Sequence, residues 1–110
     1  MPLSKRARIE IYLPNRDDAR YRRLQRAIEN EFLHTLGGCT VIKDTKGLYK
    51  GSDEKADVDR ISLISSDAPF DFDENFAALS EYTDSLREAA LAATEEESIL
   101  IVVHEIYHSL

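Results

Sequence analysis

The sequence predicts an α+β domain in which two helices cover one face of a four-stranded antiparallel sheet. Three observations support this class: an N-terminal stretch alternates apolar and polar residues, two stretches repeat apolar residues every three or four positions, and the C-terminal stretch is almost continuously apolar. The first pattern is typical of a half-buried strand, the second of amphipathic helices, and the third of a strand covered on both faces.

The first strand is predicted over residues 7–13, where apolar side chains occupy every second position, and Pro14 ends it. Asn15 is the expected N-cap of a helix. The apolar stripe of that helix consists of Tyr21, Leu24, Ile28, Phe32 and Leu36. Gly37 is expected to close the helix, because glycine adopts the left-handed conformation of a C-terminal cap without steric cost.

Two strands joined by a polar loop are predicted next. Residues 39–49 are rich in β-branched residues and tyrosine, with Gly47 as a candidate for a bulge. Residues 51–55 are too polar and too rich in turn formers to pack, so they form the loop of a hairpin. Residues 58–66 are the returning strand.

A second helix is predicted to begin at Asp71, with Glu74 at the spacing of a capping box. Its apolar positions are Phe72, Phe76, Leu79, Thr83, Leu86, Ala90 and Ala93. Residues 98–108 form the last strand. The order strand, helix, strand, strand, helix, strand is the ferredoxin-like β-α-β-β-α-β arrangement, with the first and third strands in the centre of the sheet. We expect one domain spanning residues 1–110.

The composition excludes several other classes of protein. The 110 residues are 43% hydrophobic and 32% charged, which is ordinary for a globular protein. No apolar run is long enough to span a bilayer, so we expect a cytoplasmic protein without membrane association. The single cysteine, Cys39, cannot form an internal disulfide, which is typical of a reducing compartment. We expect Cys39 to be buried as a small hydrophobic residue.

The net charge of −7 is unevenly distributed along the chain. Residues 1–26 carry eight basic and three acidic side chains, or +5, and residues 27–110 carry six and eighteen, or −12. One interpretation pairs the arginines of the first helix with acids at the end of the second helix, around Glu88 and residues 95–97. The other is a patch for an acidic protein partner, formed by Arg16, Arg20, Arg22, Arg23 and Arg26.

His104-Glu105-x-x-His108 matches the pattern of zinc hydrolases, in which two histidines one helical turn apart share a zinc ion. In a strand the two residues would be roughly 13 Å apart, too far for one ion. The preceding apolar run favours the strand, so we expect neither a metal nor another cofactor. Asp71-x-Asp73-x-Asn75 resembles the start of a calcium loop but lacks its glycine and closing glutamate.

Nucleic-acid binding is not expected, although RNA-recognition motifs share this topology. Such motifs stack bases on aromatic residues of the two central strands, where this chain has only Tyr12, and its net charge is −7.

The last strand is apolar on both faces, with Ile99, Ile101 and Val103 on one and Leu100, Val102, His104 and Ile106 on the other, and only one of the two faces can meet the helices. Monomers rarely expose a large apolar patch, so we predict a homodimer packed sheet to sheet. Tyr12, Tyr49 and His104 would lie near such an interface, either as packing residues or as the lining of a small-molecule cleft.

Three short segments carry a resemblance to a family. They are Ile9-Glu10-Ile11-Tyr12, the segment from Gly37 to Val41, and Gly47-Leu48-Tyr49 before a polar loop. They resemble small bacterial proteins of unassigned function with a ferredoxin-like fold. The resemblance covers the first half of the chain, implies that fold and dimerisation, and transfers no catalytic residue.

The sequence thus favours a homodimeric binding or interaction module. The alternative is a small cofactor-free enzyme or small-molecule binder that uses Tyr12, Tyr49 and His104. A zinc hydrolase that uses His104 and His108 is a second alternative.

Overall fold

The computed structural model describes residues 3–50, 53, 55–69 and 71–109, with their side chains except those at positions 4, 49, 56 and 57. Six elements follow one another in the predicted order. They are β1 (Ser4–Pro14), α1 (Ala19–Leu36), β2 (Thr40–Lys50), β3 (Ala56–Ala68), α2 (Phe76–Ala92) and β4 (Leu100–His108). Neither helix in the described part of the chain is long and apolar enough to cross a membrane.

The four strands form one sheet in the order β2-β3-β1-β4. Each neighbouring pair is antiparallel, and β1 pairs with β3 on one side and β4 on the other. The ferredoxin-like prediction is therefore confirmed, including the central position of the first and third strands. Because β4 is extended, the architecture inferred from the C-terminal apolar run is also confirmed.

The core lies between the sheet and the helices. β1 contributes four residues that are at most 1% exposed: Ala7, Ile9, Ile11 and Leu13. The predicted stripe of α1 is buried in full: Tyr21, Leu24, Ile28, Phe32 and Leu36. Burying one large aliphatic side chain stabilises a fold by about 1.5–3 kcal/mol, so this layer accounts for much of the stability.

The start of α1 differs from the prediction, and its end does not. Asp18, rather than Asn15, is the N-cap, and its side chain accepts a hydrogen bond of 2.8 Å from the backbone N–H of Arg20. Gly37 is the C-cap, with φ at 95°, where a side chain would be strained. The three residues after Pro14 form the connection that brings Asp18 to this position.

The second helix begins at Phe76, five residues later than predicted. Asp71 does accept hydrogen bonds from backbone N–H groups, those of Asp73 and Glu74, but it stabilises a turn that precedes the helix. Phe76 is 62% exposed, so it lies outside the core. Leu79 and Ala90 are the residues of α2 that are buried.

The β2–β3 hairpin contains a bulge at a position the sequence did not indicate. The register shifts between Ile42 and Thr45, and Asp44 has a positive φ of 60°. Asn15 donates a 3.3 Å hydrogen bond to the Asp44 carboxylate. Gly47, the predicted bulge position, is paired regularly with Asp59.

Candidate functional site

The helix-free face of the sheet carries polar side chains from β1. Even-numbered residues of this strand point there, because their odd-numbered neighbours are buried against the helices. Since β1 is a central strand, both neighbouring strands can supply partners. Arg8, for example, lies between Asp67 of β3 and His104 of β4.

Glu10 is the centre of one polar cluster. Its side chain is only 13% exposed, and it accepts two hydrogen bonds. The Tyr12 hydroxyl donates to Oε2 over 2.8 Å, and Nε2 of His104 lies 2.7 Å from Oε1. A carboxylate can only accept, so this contact is a hydrogen bond in the tautomer that has its proton on Nε2 of His104. The strands therefore bring together a carboxylate, a phenol and an imidazole that are up to 94 residues apart.

A second cluster is centred on Asp67. Arg8 donates to both carboxylate oxygens, from Nε over 2.6 Å and from Nη2 over 3.1 Å, which is the bidentate geometry. His108 places Nδ1 3.7 Å from the same carboxylate, while its Nε2 accepts a 3.3 Å hydrogen bond from Arg6. Hydrogen bonds from Arg8 lower the pKa of Asp67, against the opposing effect of desolvation. Asp67 is therefore held as an anion between cationic and polar partners.

Beside these clusters, one row of apolar side chains crosses all four strands of the helix-free face. Ile42 pairs with Leu63, Leu63 with Tyr12, and Tyr12 with Leu100. The two residues at the ends of the row, on the edge strands, are 50% and 53% exposed. Val102 and Ile106 of β4 extend the apolar surface and are half-buried.

Of the three residues predicted to line a cleft, the structure brings Tyr12 and His104 together on Glu10. The backbone of Tyr49 pairs with Asp57, six residues along β3 from Leu63, the partner of Tyr12. That separation is roughly 20 Å along the hairpin. The side chain of Tyr49 lies outside the described part of the structure.

The arginines of the predicted patch fall into two groups, and the first group is paired within the chain. Arg20 binds its own N-cap, Asp18, with an N···O distance of 2.7 Å and reaches Glu95 at 3.3 Å. Arg16 lies 3.3 Å from Glu96. The start of α1 thus lies beside the segment that follows α2, the arrangement expected from the topology.

Titration behaviour reflects these pairs. Hydrogen bonds from Arg20 lower the pKa of Asp18 to about 2. Desolvation alone would raise the pKa of Glu96, but hydrogen bonds from Tyr21 and Arg16 outweigh it and lower that pKa. Desolvation, followed by the Glu96 hydrogen bond, raises the pKa of Tyr21. Both carboxylates are anions at neutral pH and neutralise part of the arginine charge.

The second group comprises Arg22, Arg23 and Arg26, for which the structure describes no ion pair with the acidic segment. Arg22 pairs with the exposed Asp17 at 3.0 Å. Arg23 and Arg26 form no ion pair with any residue that the structure describes. Three of the five arginines in the patch are therefore paired, and the unpaired charges among the described residues are those of Arg23 and Arg26.

The His104-Glu105-x-x-His108 pattern lies within β4, as expected. Each histidine has a different partner, Glu10 for His104 and Asp67 for His108. The described residues contain no group of three or more histidine, cysteine, aspartate or glutamate side chains arranged to hold a metal.

Cys39 is exposed, so the expectation that it is buried was wrong. It follows the helix cap and directly precedes β2, where the chain passes over the surface. Partial desolvation and, second, the Glu29 carboxylate raise the pKa of its thiol. A raised pKa disfavours the thiolate, which is the nucleophilic form.

Sequence reasoning missed Glu10 and Asp67, the two acceptors around which the clusters are built. In the sequence they are ordinary polar residues in stretches where polar and apolar residues alternate. The i, i+2 spacing of Glu10 and Tyr12 within one strand was the available signal, because residues two apart share a face. The Arg8–Asp67 pair depends on the register of β1 with β3, which the local sequence does not contain.

No protein-family model and no curated protein matches the chain. Among solved structures, it is similar to CutA1 from Oryza sativa, with a TM-score of 0.61 and 16% identity over 98% of this chain and 85% of that one. It also resembles CPII from Thiomonas intermedia K12, a structure with bound ADP and bicarbonate, with a TM-score of 0.47 and 19% identity over 97% and 91%. The similarity to CutA1 shows a shared fold. At 16% identity it shows nothing about the function of this chain.

Proposed function

We infer that the protein is a binding module that works as a homodimer, with the helix-free faces of two sheets packed against each other. The observation that carries this proposal is the apolar row Ile42–Leu63–Tyr12–Leu100, whose two end residues are half exposed. Covering such a row removes apolar surface from water and is favourable by about 25 cal/mol per Å².

The polar clusters on the same face support burial, because the carboxylates at their centres are already paired within the chain. Arg8 and Asp67 form a bidentate pair, and Glu10 accepts hydrogen bonds from Tyr12 and His104. Covering a charge is costly when it is left without a partner. Here a second copy can cover the face without separating any of these pairs.

The pairing of the strands also leaves this face continuous. Directly paired residues form rows across all four strands at positions 40–42, 63–65, 10–12 and 100–102, and β1 and β4 stay paired beyond these rows as far as Ser4 and His108. A two-fold axis through the face would place the same patch on both sides.

The oligomeric state tests the proposal. We expect the purified protein to have twice the mass of the 12.5 kDa chain in sedimentation equilibrium. Leu100→Asp should shift it to the monomer, because a charge would replace an apolar contact. Leu33→Asp is the matched control: Leu33 is 54% exposed, close to the 53% of Leu100, but lies on α1.

A monomeric wild-type protein would reject the proposal. So would a dimer that Leu100→Asp leaves intact while Leu33→Asp dissociates it, since that result would place the interface on the helices. Circular dichroism of both variants establishes that each is folded before the masses are compared.

A further inference from the structure

We propose that the groove between α1 and the β2–β3 hairpin binds a small polyanion, a ligand that presents several phosphate or carboxylate oxygens close together. The groove has a volume of about 880 Å³, within the range of about 300–1,000 Å³ typical of small-molecule sites. It lies on the helix-covered side of the sheet, away from the face assigned to dimerisation.

The two walls of the groove come from distant parts of the sequence. Arg22, Gln25 and Arg26 follow one another along one side of α1, where residues three and four apart are neighbours. Lys43 of β2 and Arg60 of β3 line the opposite wall. Four cations from three elements therefore surround one space.

The bulge in β2 contributes to this arrangement. Ile42 and Thr45 both pair with residues of the helix-free face, Leu63 and Ile61. Lys43 follows Ile42 directly, so it lies on the opposite side of the strand and lines the groove beside α1, and the extra residue then returns Thr45 to the helix-free face. Asn15, at the mouth of the groove, donates its hydrogen bond to the bulge residue Asp44.

Three of the groove cations are free to bind a ligand. Arg26, Lys43 and Arg60 have no carboxylate partner among the residues that the structure describes. Among the other charged lining residues, Arg16 is paired with Glu96 and Arg22 with Asp17, so the three free cations face only Glu29, a net charge of +2. On a chain with net charge −7, this is a local reversal of sign. Anions would be concentrated in the groove and repelled by the rest of the surface.

The unpaired positive charges are confined to the groove, which favours a small ligand over an acidic polypeptide. Beyond the groove, Arg20 is neutralised by Asp18 and Glu95, and Arg16 at its edge by Glu96. An extended acidic segment would leave the groove and meet this neutralised surface. A compact anion would keep all of its contacts with the free cations.

Isothermal titration in low-salt buffer tests this with two probes, inorganic tripolyphosphate and citrate, which distinguish a phosphate from a carboxylate ligand. Arg26→Gln and Lys43→Gln each remove one free cation, from opposite walls. Each should weaken binding of the preferred probe about fivefold, the upper range for an exposed ion pair. Arg23→Gln is the matched control, because Arg23 is also an exposed, unpaired arginine of α1 but does not line the groove.

Equal weakening by Arg23→Gln would overturn the proposal, because it would mean that only net charge matters. Failure of both probes to bind the wild-type protein would overturn it as well. A third probe, hexaglutamate, covers the protein-partner alternative: its binding, with loss in Arg26→Gln and no binding of either small anion, would replace the proposed ligand by an acidic polypeptide. None of these outcomes depends on the dimer, since Leu100 and the groove lie on opposite sides of the sheet.

Discussion

The two faces of the sheet are built from alternate residues of the same strands, yet different interactions stabilise them. On the covered face, Ile9 and Ile11 are fully buried against helices. On the other face, their neighbours Arg8 and Glu10 are held by partners from β3 and β4. The covered face consists mostly of apolar side chains of suitable size. The helix-free face needs specific partners at specific positions, so its organisation depends on register.

The largest effect is expected from the covered face. Ile11→Ala removes a fully buried side chain opposite Ile64 and should lower the free energy of unfolding by about 2–5 kcal/mol. Tyr12→Phe, one residue along on the other face, removes one hydrogen bond to Glu10 and should cost no more than about 1.5 kcal/mol. Urea denaturation of both variants measures the difference. Equal losses of unfolding free energy in the two variants would contradict the view that different interactions stabilise the two faces.

A smaller effect is expected from two buried serines of β3, both on the covered face. The Ser62 hydroxyl has no hydrogen-bond partner in the described residues, whereas Ser66 donates to the carbonyl of Gly38. Ser62→Ala should therefore raise the free energy of unfolding by about 1 kcal/mol, because it removes an uncompensated polar group. Ser66→Ala should lower it by a similar amount.

Thermal unfolding of the two serine variants, monitored by circular dichroism, gives opposite shifts of Tm if this explanation holds. A lower Tm for Ser62→Ala would show that its hydroxyl is satisfied. The covered face would then tolerate polar groups as readily as the helix-free face does.

The smallest effect is the pH dependence of the Arg8–Asp67 pair. Its hydrogen bonds lower the pKa of Asp67 below the unfolded value of about 3.9. The pair therefore contributes its full stability above the unfolded pKa and loses it as the pH falls through the lower folded pKa. Asp67→Asn should cost no more than about 1 kcal/mol at neutral pH, and the difference from wild type should shrink in acid.

Denaturation midpoints measured from neutral pH down through the carboxyl range give this comparison. Arg8→Gln should flatten the same part of the profile, since it removes the donor that lowers the pKa. A wild-type slope retained in both variants would assign the acid sensitivity to other carboxylates, such as Glu96.

Much of the fold could be predicted from local pattern. The stripe from Tyr21 to Leu36 is buried in full, and Gly37 ends the helix as expected, because both depend on residues close in sequence. The start of α2 could not be predicted in the same way. The Asp71 side chain accepts backbone hydrogen bonds as an N-cap residue does, but the sequence did not indicate that it would stabilise a turn before the helix.

The candidate sites depend more strongly on tertiary register. Tyr12 and His104 were both identified from the sequence, but Glu10, which links them, was not. The arginines of α1 were identified as one patch, whereas Arg16 and Arg20 bind acids and Arg26 lies in the groove. Lys43 and Arg60 complete that groove from another part of the chain, and no local pattern marks them.

The one-residue insertion in β2 determines on which side of the sheet the later residues of that strand lie. Two lysines three positions apart, Lys43 and Lys46, would point to opposite sides of a regular strand, and the insertion lets both serve the same side. A chain that lacked Asp44 could keep every later side chain on its present side while losing an unfavourable positive φ of 60°. Because a bulge bends its strand and increases the local twist, such a deletion would straighten the hairpin and change the shape of the neighbouring groove.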